Sequence, residues 1–171
     1  VALSATKDVQ DAILNDTQRA KLVDIIDIRY WHYKVDGLYA PEGGKNLAPR
    51  QHARKMKVGK VTFDEAYRAV SEYRKKFPEK AVTYYAQNYP DMAWAVFMAS
   101  GSCPVVPVSD ESFLTDAAAM DMEDTGTNKY QKLVKSGIGS IIYSHSATDI
   151  PVHLSPGKYI LKSVDPKTGA I

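Results

Sequence analysis

The alternation of apolar and polar side chains is clearest over Val23–Trp31, a run rich in β-branched and aromatic residues. Its composition and length predict a strand. With a period of two residues, Asp27, Arg29 and Trp31 fall on one face of this strand. Polar groups are therefore expected to gather towards its carboxyl end.

Apolar residues at helical spacing predict several helices elsewhere in the chain. Thr6–Leu22 is predicted to form one or two short helices, with Asp16 as a second cap. A longer helix is predicted from the capping box Thr62–Glu65 to Pro78. Two more are predicted, one over the apolar run from Pro90 to Gly101 and a last one from Ser109 or Asp110 to Met120. In the first of these, Val9, Ile13 and Leu14 form the expected apolar stripe.

Two further apolar runs, Ala81–Gln87 and Pro104–Val108, predict strands between these helices. Alternating strands and helices are typical of parallel βαβ units. A complete (β/α)8 barrel needs roughly 250 residues. We therefore expect an α/β fold in which residues 1–125 form late βα units, the C-terminal portion of a TIM-like barrel. A small three-layer α/β domain is the alternative.

The pattern changes after the polar stretch Asp121–Asn128. Three short strand-like runs, Ile138–Ser144, Ile150–Leu154 and Lys158–Val164, are separated by turn residues. They predict a few antiparallel strands and a second domain over residues 126–171, the start of a β-sandwich. Two or three strands bury too little apolar surface to be stable alone, so they are expected to pack on the α/β part or to belong to a longer sandwich.

Charge and composition exclude several classes of function. Twenty-two Lys and Arg residues against twenty Asp and Glu leave a formal charge of +2, so no large field favours nucleic acid. The chain has no apolar run of about 18 residues, as a membrane span requires, and is expected to be soluble. Metal-ligand spacings, phosphate loops and dinucleotide motifs are also absent from it, and no cofactor is expected. Because the sequence lacks both an initiator Met and a signal peptide, it is expected to be a mature form or a fragment.

Candidate binding chemistry follows the first predicted strand. His32–Val61 shows no clear helical or strand pattern, and loops of that length are usually functional or disordered. Trp31, His32 and Tyr33 are predicted to build an aromatic wall at the carboxyl end of the strand, where barrel enzymes have their sites. Flat aromatic faces beside planar polar groups suit a sugar ring.

Asp27 and Glu42 are the candidate catalytic carboxylates. Asp27 lies two residues from Arg29 on one strand face, and a neighbouring guanidinium suits a nucleophile or positioning group, although a buried structural pair is an equal alternative. Glycosidases of the usual kind need two carboxyls roughly 5 to 10 Å apart. Glu42 stands in Pro-Glu-Gly-Gly, which is also typical of a turn.

The remaining candidate substrate-binding residues are polar or aromatic and lie in two places. Tyr85, Gln87 and Asn88 come at the carboxyl end of the second predicted strand, where core packing and a helix cap are the alternative roles. Arg50 belongs to a basic cluster that suits the carboxylates or sulfates of an acidic polysaccharide, or otherwise a solvated face.

Several motifs of the chain resemble uncharacterised glycoside-hydrolase-like barrel proteins of gut polysaccharide degraders. The resemblance rests on Val23–Trp31, Leu38–Gly44, Asn46–Arg54 and Trp94–Ser102, with Gly139–Gly169 similar to the opening strands of a β-sandwich described as collagen-binding. The resemblance implies a secreted or periplasmic protein. It also implies that this chain packs with an N-terminal part of the same protein that the given sequence does not include. Related glycosidases generally have a catalytic carboxylate near the seventh strand, whereas Thr83–Asn88 has none.

The sequence and the resemblance together imply a carbohydrate-active protein, a glycoside hydrolase acting on a polysaccharide. The alternative is a non-catalytic protein that binds glycan or matrix on a degenerate barrel scaffold. In both cases the expected partner is a polysaccharide or oligosaccharide. An unrelated structural α/β domain is the third possibility.

Overall fold

The computed structural model describes residues 1–39, 61–85, 90–144 and 149–171, which fall into two units, Val1–Val105 and Val106–Ile171. The predicted domain boundary between residues 125 and 126 lies within the second unit. In the first unit the elements are β1 (Ala2–Ser4), α1 (Lys7–Asn15), α2 (Thr17–Ala20), β2 (Ile25–Ile28), β3 (His32–Lys34), β4 (Gly37–Tyr39), α3 (Phe63–Lys76), β5 (Ala81–Tyr84) and α4 (Pro90–Met98). In the second unit they are α5 (Glu111–Ala118), β6 (Asp121–Glu123), β7 (Tyr130–Lys135) and β8 (Gly139–Ser144).

Three parallel strands in the order β1-β2-β5 form the sheet of the first unit. The α/β class predicted from the sequence is therefore confirmed. The prediction of a strand at Pro104–Val108 was wrong, because this stretch has no strand pairing and β1 is the third parallel strand instead. Pro104 and Pro107 each lack the N–H that a sheet ladder requires.

One face of this sheet forms the core of the first unit. Ile26, Ile28 and Val82 are fully buried on it, and α3 packs against both β2 and β5. Alternation directs Ile25 and Asp27 to the opposite face, where Ile25 is exposed and Asp27 only partly covered. The sheet therefore has one packed face and one face that carries accessible side chains.

Local capping signals define the helix ends as the sequence predicted. Thr62 and Glu65 form a complete capping box at the start of α3. Asp16 caps α2 through the N–H groups of Gln18 and Arg19, and Asp110 caps α5. The predictions of one or two short helices over Thr6–Leu22 and of a helix following Asp110 are confirmed.

The end of α4 is a second place where local geometry dictates the residue type. The N–H of Gly101 donates to the carbonyl of Val96 at 2.8 Å, and Ser100 adopts a left-handed backbone with φ +52°. This is a Schellman ending with a serine at the position that favours glycine. The buried Ser100 hydroxyl also has no hydrogen-bond partner among the described residues.

We expect Ser100→Gly to raise the free energy of unfolding by about 1 kcal/mol, because glycine has no Cβ to strain a left-handed backbone. Gly101→Ala is the matched opposite, since a Cβ there would come within 2.8 Å of the Val96 carbonyl oxygen. Urea denaturation followed by tryptophan fluorescence measures both variants. A destabilised Ser100→Gly or a neutral Gly101→Ala would contradict this account.

The second unit contains a three-stranded antiparallel sheet in the order β6-β7-β8. Antiparallel strands at the C-terminal end were predicted, and β8 matches the predicted run from Ile138 to Ser144. Strands at Ile150–Leu154 and Lys158–Val164 were wrongly predicted: these stretches have no ladder partner and are largely exposed. A run of residues with high strand propensity forms a strand only where a neighbouring strand is available to pair with it.

No helix among the described residues combines the length and the apolar character needed to cross a bilayer.

Candidate functional site

A layer of polar residues crosses the carboxyl ends of the three parallel strands. The register pairs Ser4 with Asp27 and Asp27 with Thr83, so alternation directs the three side chains to the same face of the sheet. The Thr83 hydroxyl donates to Oδ1 of Asp27 at 3.0 Å. Nε of Arg29 donates to Oδ2 of the same carboxylate at 2.9 Å. Both oxygens of Asp27 are therefore held in place.

Arg29 extends this layer towards solvent. Its side chain is 47% exposed, against 13% for Asp27. The guanidinium carbon of Arg29 lies 5.4 Å from the centre of the Tyr85 ring, and Tyr85 is itself 48% exposed. We call Asp27, Arg29, Thr83 and Tyr85 the strand-end cluster. It offers a planar set of donors and an aromatic surface within one accessible patch, while the Asp27 carboxylate is largely covered.

A buried glutamine supports the backbone of the strand-end cluster. The side-chain amide of Gln10, on α1, donates to the carbonyls of Leu3 and Asp27 at 3.0 and 2.9 Å. Its oxygen accepts a hydrogen bond from Nε1 of Trp31 at 2.7 Å. Because Gln10 is fully buried, these bonds fix the ends of β1 and β2 relative to each other. Sequence reasoning missed this residue, since a glutamine on a helix is usually exposed.

Trp31, His32 and Tyr33 do not form an exposed aromatic wall. All three are buried, and Trp31 is only 2% exposed. Its ring packs edge-on against Tyr33 and Tyr73 at centroid distances of 5.4 and 5.9 Å. The reason is that β2 ends at Ile28, so the alternation that put Trp31 beside Arg29 does not continue that far. Burial lowers the pKa of the His32 imidazole.

Hydrogen bonds and ion pairs between charged and phenolic side chains connect α1, α3 and β3. The ammonium of Lys7 lies 2.8 Å from both Oδ2 of Asp11 and Oε1 of Glu72. The Tyr33 hydroxyl donates to Oε2 of Glu72, and the Tyr73 hydroxyl donates to Oδ1 of Asp11 at 2.8 Å. We call these five residues the Lys7 network. It uses both oxygens of both carboxylates.

The Lys7 network shifts the acidities of its members. Burial alone would lower the pKa of Lys7, but the hydrogen bonds to Asp11 and Glu72 outweigh it and raise that pKa. Burial and the hydrogen bond to Glu72 raise the pKa of Tyr33 to about 12. Burial also raises the pKa of Tyr73, with the Asp11 hydrogen bond adding to the effect. The folded chain therefore favours a charged lysine beside neutral phenols.

The other predicted site residues lie outside the described residues: Glu42, Arg50, Gln87 and Asn88. The structure thus brings together Asp27, Arg29 and Tyr85 from the predicted set and adds Thr83. Across the described ranges, no group of three His, Cys, Asp or Glu side chains is arranged to hold a metal ion.

Residues 1–120 match the family described as Domain of unknown function (DUF6298). The match spans the described first unit and continues through α5. No curated protein and no solved structure matches the chain.

Proposed function

Since the chain belongs to the DUF6298 family, a domain family of unknown function, we propose its function from the site: it binds a carbohydrate at the strand-end cluster. The observation that carries this proposal is the half-exposed Arg29 guanidinium lying between the Asp27 carboxylate and the Tyr85 ring. Sugars need donors and acceptors for their hydroxyls and a flat apolar surface for their C–H faces.

The position of the cluster in the fold supports the same proposal. In parallel α/β sheets, ligands bind at the carboxyl ends of the strands. The order β1-β2-β5 follows the chain order, with α1 and α2 between the first pair of strands and α3 between the second pair. Neighbouring strands of a (β/α)8 barrel have this sequential arrangement. We therefore include a TIM-like barrel scaffold in the proposal, completed by an N-terminal part of the same protein.

Glycoside hydrolysis is the second candidate. It is favoured by Asp27, a carboxylate fixed by two hydrogen bonds at a strand end. Hydrolysis of the usual kind needs a second carboxyl group roughly 5 to 10 Å away. In this proposal, Glu42 or the N-terminal part supplies that group. We also propose a secreted or periplasmic location, as the resemblance implies.

The proposal predicts that Tyr85→Ala weakens glycan binding about tenfold or more, because the ring contributes both the apolar area it buries and about 1 kcal/mol beyond that area. Asp27→Asn is expected to weaken binding as well, since it loses the charge that orients Arg29. Calorimetry against a panel of plant and host polysaccharides measures the affinities. Release of reducing ends in the same samples detects hydrolysis.

Tyr159→Ala is the matched control, because Tyr159 is an exposed tyrosine in the second unit. It is expected to leave glycan affinity unchanged. Binding that is lost in Tyr85→Ala but kept in Tyr159→Ala supports the proposed site. If no polysaccharide binds, or if binding is the same in all variants, the proposed function is wrong.

A further inference from the structure

Arg29 has hydrogen-bonding capacity that its described neighbours leave unused. A guanidinium carries five N–H donors, and the Asp27 carboxylate takes the one on Nε. The donors on Nη1 and Nη2 make no hydrogen bond to the described residues, and the side chain is half exposed. A ligand that satisfies this outer edge must present acceptors, and two oxygens in one plane match it best.

We infer that the glycan bound at the strand-end cluster carries carboxylates, so that its sugars include uronic acids. This inference rests on the proposed function and adds the chemical class of the ligand. The carboxylate pairs with the Nη1 and Nη2 edge of Arg29, and the sugar ring contacts Tyr85. Arg29 is then the residue that determines specificity.

The unequal exposure of Asp27 and Arg29 explains why an anion suits this position. Asp27 is largely covered and is held from the sheet by Thr83, so its charge lies behind the guanidinium. The group facing solvent is the cation. A carboxylate offers the guanidinium a negative charge and two coplanar oxygens for two parallel bonds, whereas a sugar hydroxyl offers a single neutral oxygen.

Polygalacturonate, alginate and glucuronoxylan, each compared with its carboxyl-reduced form, provide the test. Reduction replaces every carboxylate by an alcohol and keeps the backbone and linkages. We expect at least one native polymer to bind the chain about tenfold or more tightly than its reduced form, since loss of a charge-assisted pair has that effect. Higher salt should weaken the native interaction and leave the reduced one unchanged.

Two substitutions separate the charge of Arg29 from its geometry. Arg29→Gln is expected to abolish the preference for the native polymer. Arg29→Lys keeps the charge but not the planar donor edge, and most of the preference should also be lost. Arg19→Gln is the control, because Arg19 is likewise an exposed arginine paired with a nearby aspartate. It should keep the full preference.

Each other outcome overturns a defined claim. Equal binding of native and reduced polymers, still dependent on Tyr85, overturns the carboxylate assignment and leaves the glycan site standing. If dextran sulfate binds as tightly as the uronates, the site accepts any oxyanion, and the assignment to uronic acids is wrong. Absence of binding to all of these polymers overturns this inference, and the proposed function is also wrong if the wider polysaccharide panel shows no binding. The polymer comparison uses the unaltered chain, so it does not depend on the folding of a variant.

Discussion

Replacing Trp31 by alanine is expected to lower the free energy of unfolding of the first unit by about 3 to 5 kcal/mol. The side chain is 2% exposed and contacts the rings of Tyr33 and Tyr73, so its removal leaves a large cavity. Removal also takes away the Nε1–H donor to the buried Gln10 oxygen. Urea denaturation followed by Trp94 fluorescence measures the loss, since Trp94 lies in the same unit.

Two companion variants separate the contributions of Trp31. Trp31→Phe keeps most of the apolar volume but not the hydrogen bond to Gln10, so we expect a smaller loss, about 2 kcal/mol. Val35→Ala, at an almost fully exposed residue between β3 and β4, should stay within about 0.5 kcal/mol of the parent. A loss below about 1 kcal/mol in Trp31→Ala would mean that the ring does not pack as the structure shows.

Trp31 also shows why lost glycan binding alone does not identify a binding residue. The indole is joined through Gln10 to the carbonyl of Asp27, so a collapse around Trp31 would disturb the strand-end cluster without any contact to a sugar. Within the described ranges, the half-exposed Tyr85 side chain makes no hydrogen bond to a buried residue and contacts the Arg29 guanidinium. Binding experiments on this chain should therefore use Tyr85 variants, with stability measured in parallel.

Local signals in the sequence predicted the helices well, because a cap or a glycine acts within one turn. The Thr62–Glu65 capping box and the cap at Asp110 both form as expected. Neither requires information from elsewhere in the chain. The end of α4 before Gly101 follows from the same local rules.

The buried face of α1 was not predictable in the same way. Apolar spacing selected Val9, which is 36% exposed, whereas Lys7 and Gln10 are buried next to Leu14. These polar residues are stabilised by partners distant in sequence, such as Glu72 on α3. Predicting the buried face of a helix from its apolar residues requires that this face be apolar. A polar network between packed elements does not meet that requirement.

The candidate site was predictable in part. Alternation along β2 correctly put Asp27 and Arg29 on one face, and they are paired. Thr83 required the register between β2 and β5, which the sequence does not display. Trp31 was assigned to the same face because the predicted strand extended past Ile28, where the real one ends. Strand ends depend on tertiary pairing, and they are therefore harder to predict than strand cores.

Raising the pH above about 10 is expected to destabilise the first unit steeply, and the loss should grow continuously from pH 10 to 12. Burial raises the pKa of Tyr33 from 10.0 to about 12 and also raises those of Tyr73 and Tyr84. An unfolded tyrosine loses its proton near pH 10, so above that pH the folded state binds more protons and stability falls with pH. Lys7, whose pKa is also raised, contributes with the same sign. Urea midpoints measured by Trp fluorescence from pH 8 to 12 test this.

Tyr33→Phe separates this mechanism from general alkaline damage. The variant loses the hydrogen bond to Glu72, so it should be less stable than the parent at pH 8 by about 1 to 2 kcal/mol. Since it has one fewer buried phenol to ionise, the gap to the parent should narrow as the pH rises from 10 to 12. Tyr159→Phe, at an exposed tyrosine in the second unit, should follow the parent at every pH. A gap that stays constant from pH 8 to 12 would show that ionisation of Tyr33 is not coupled to unfolding.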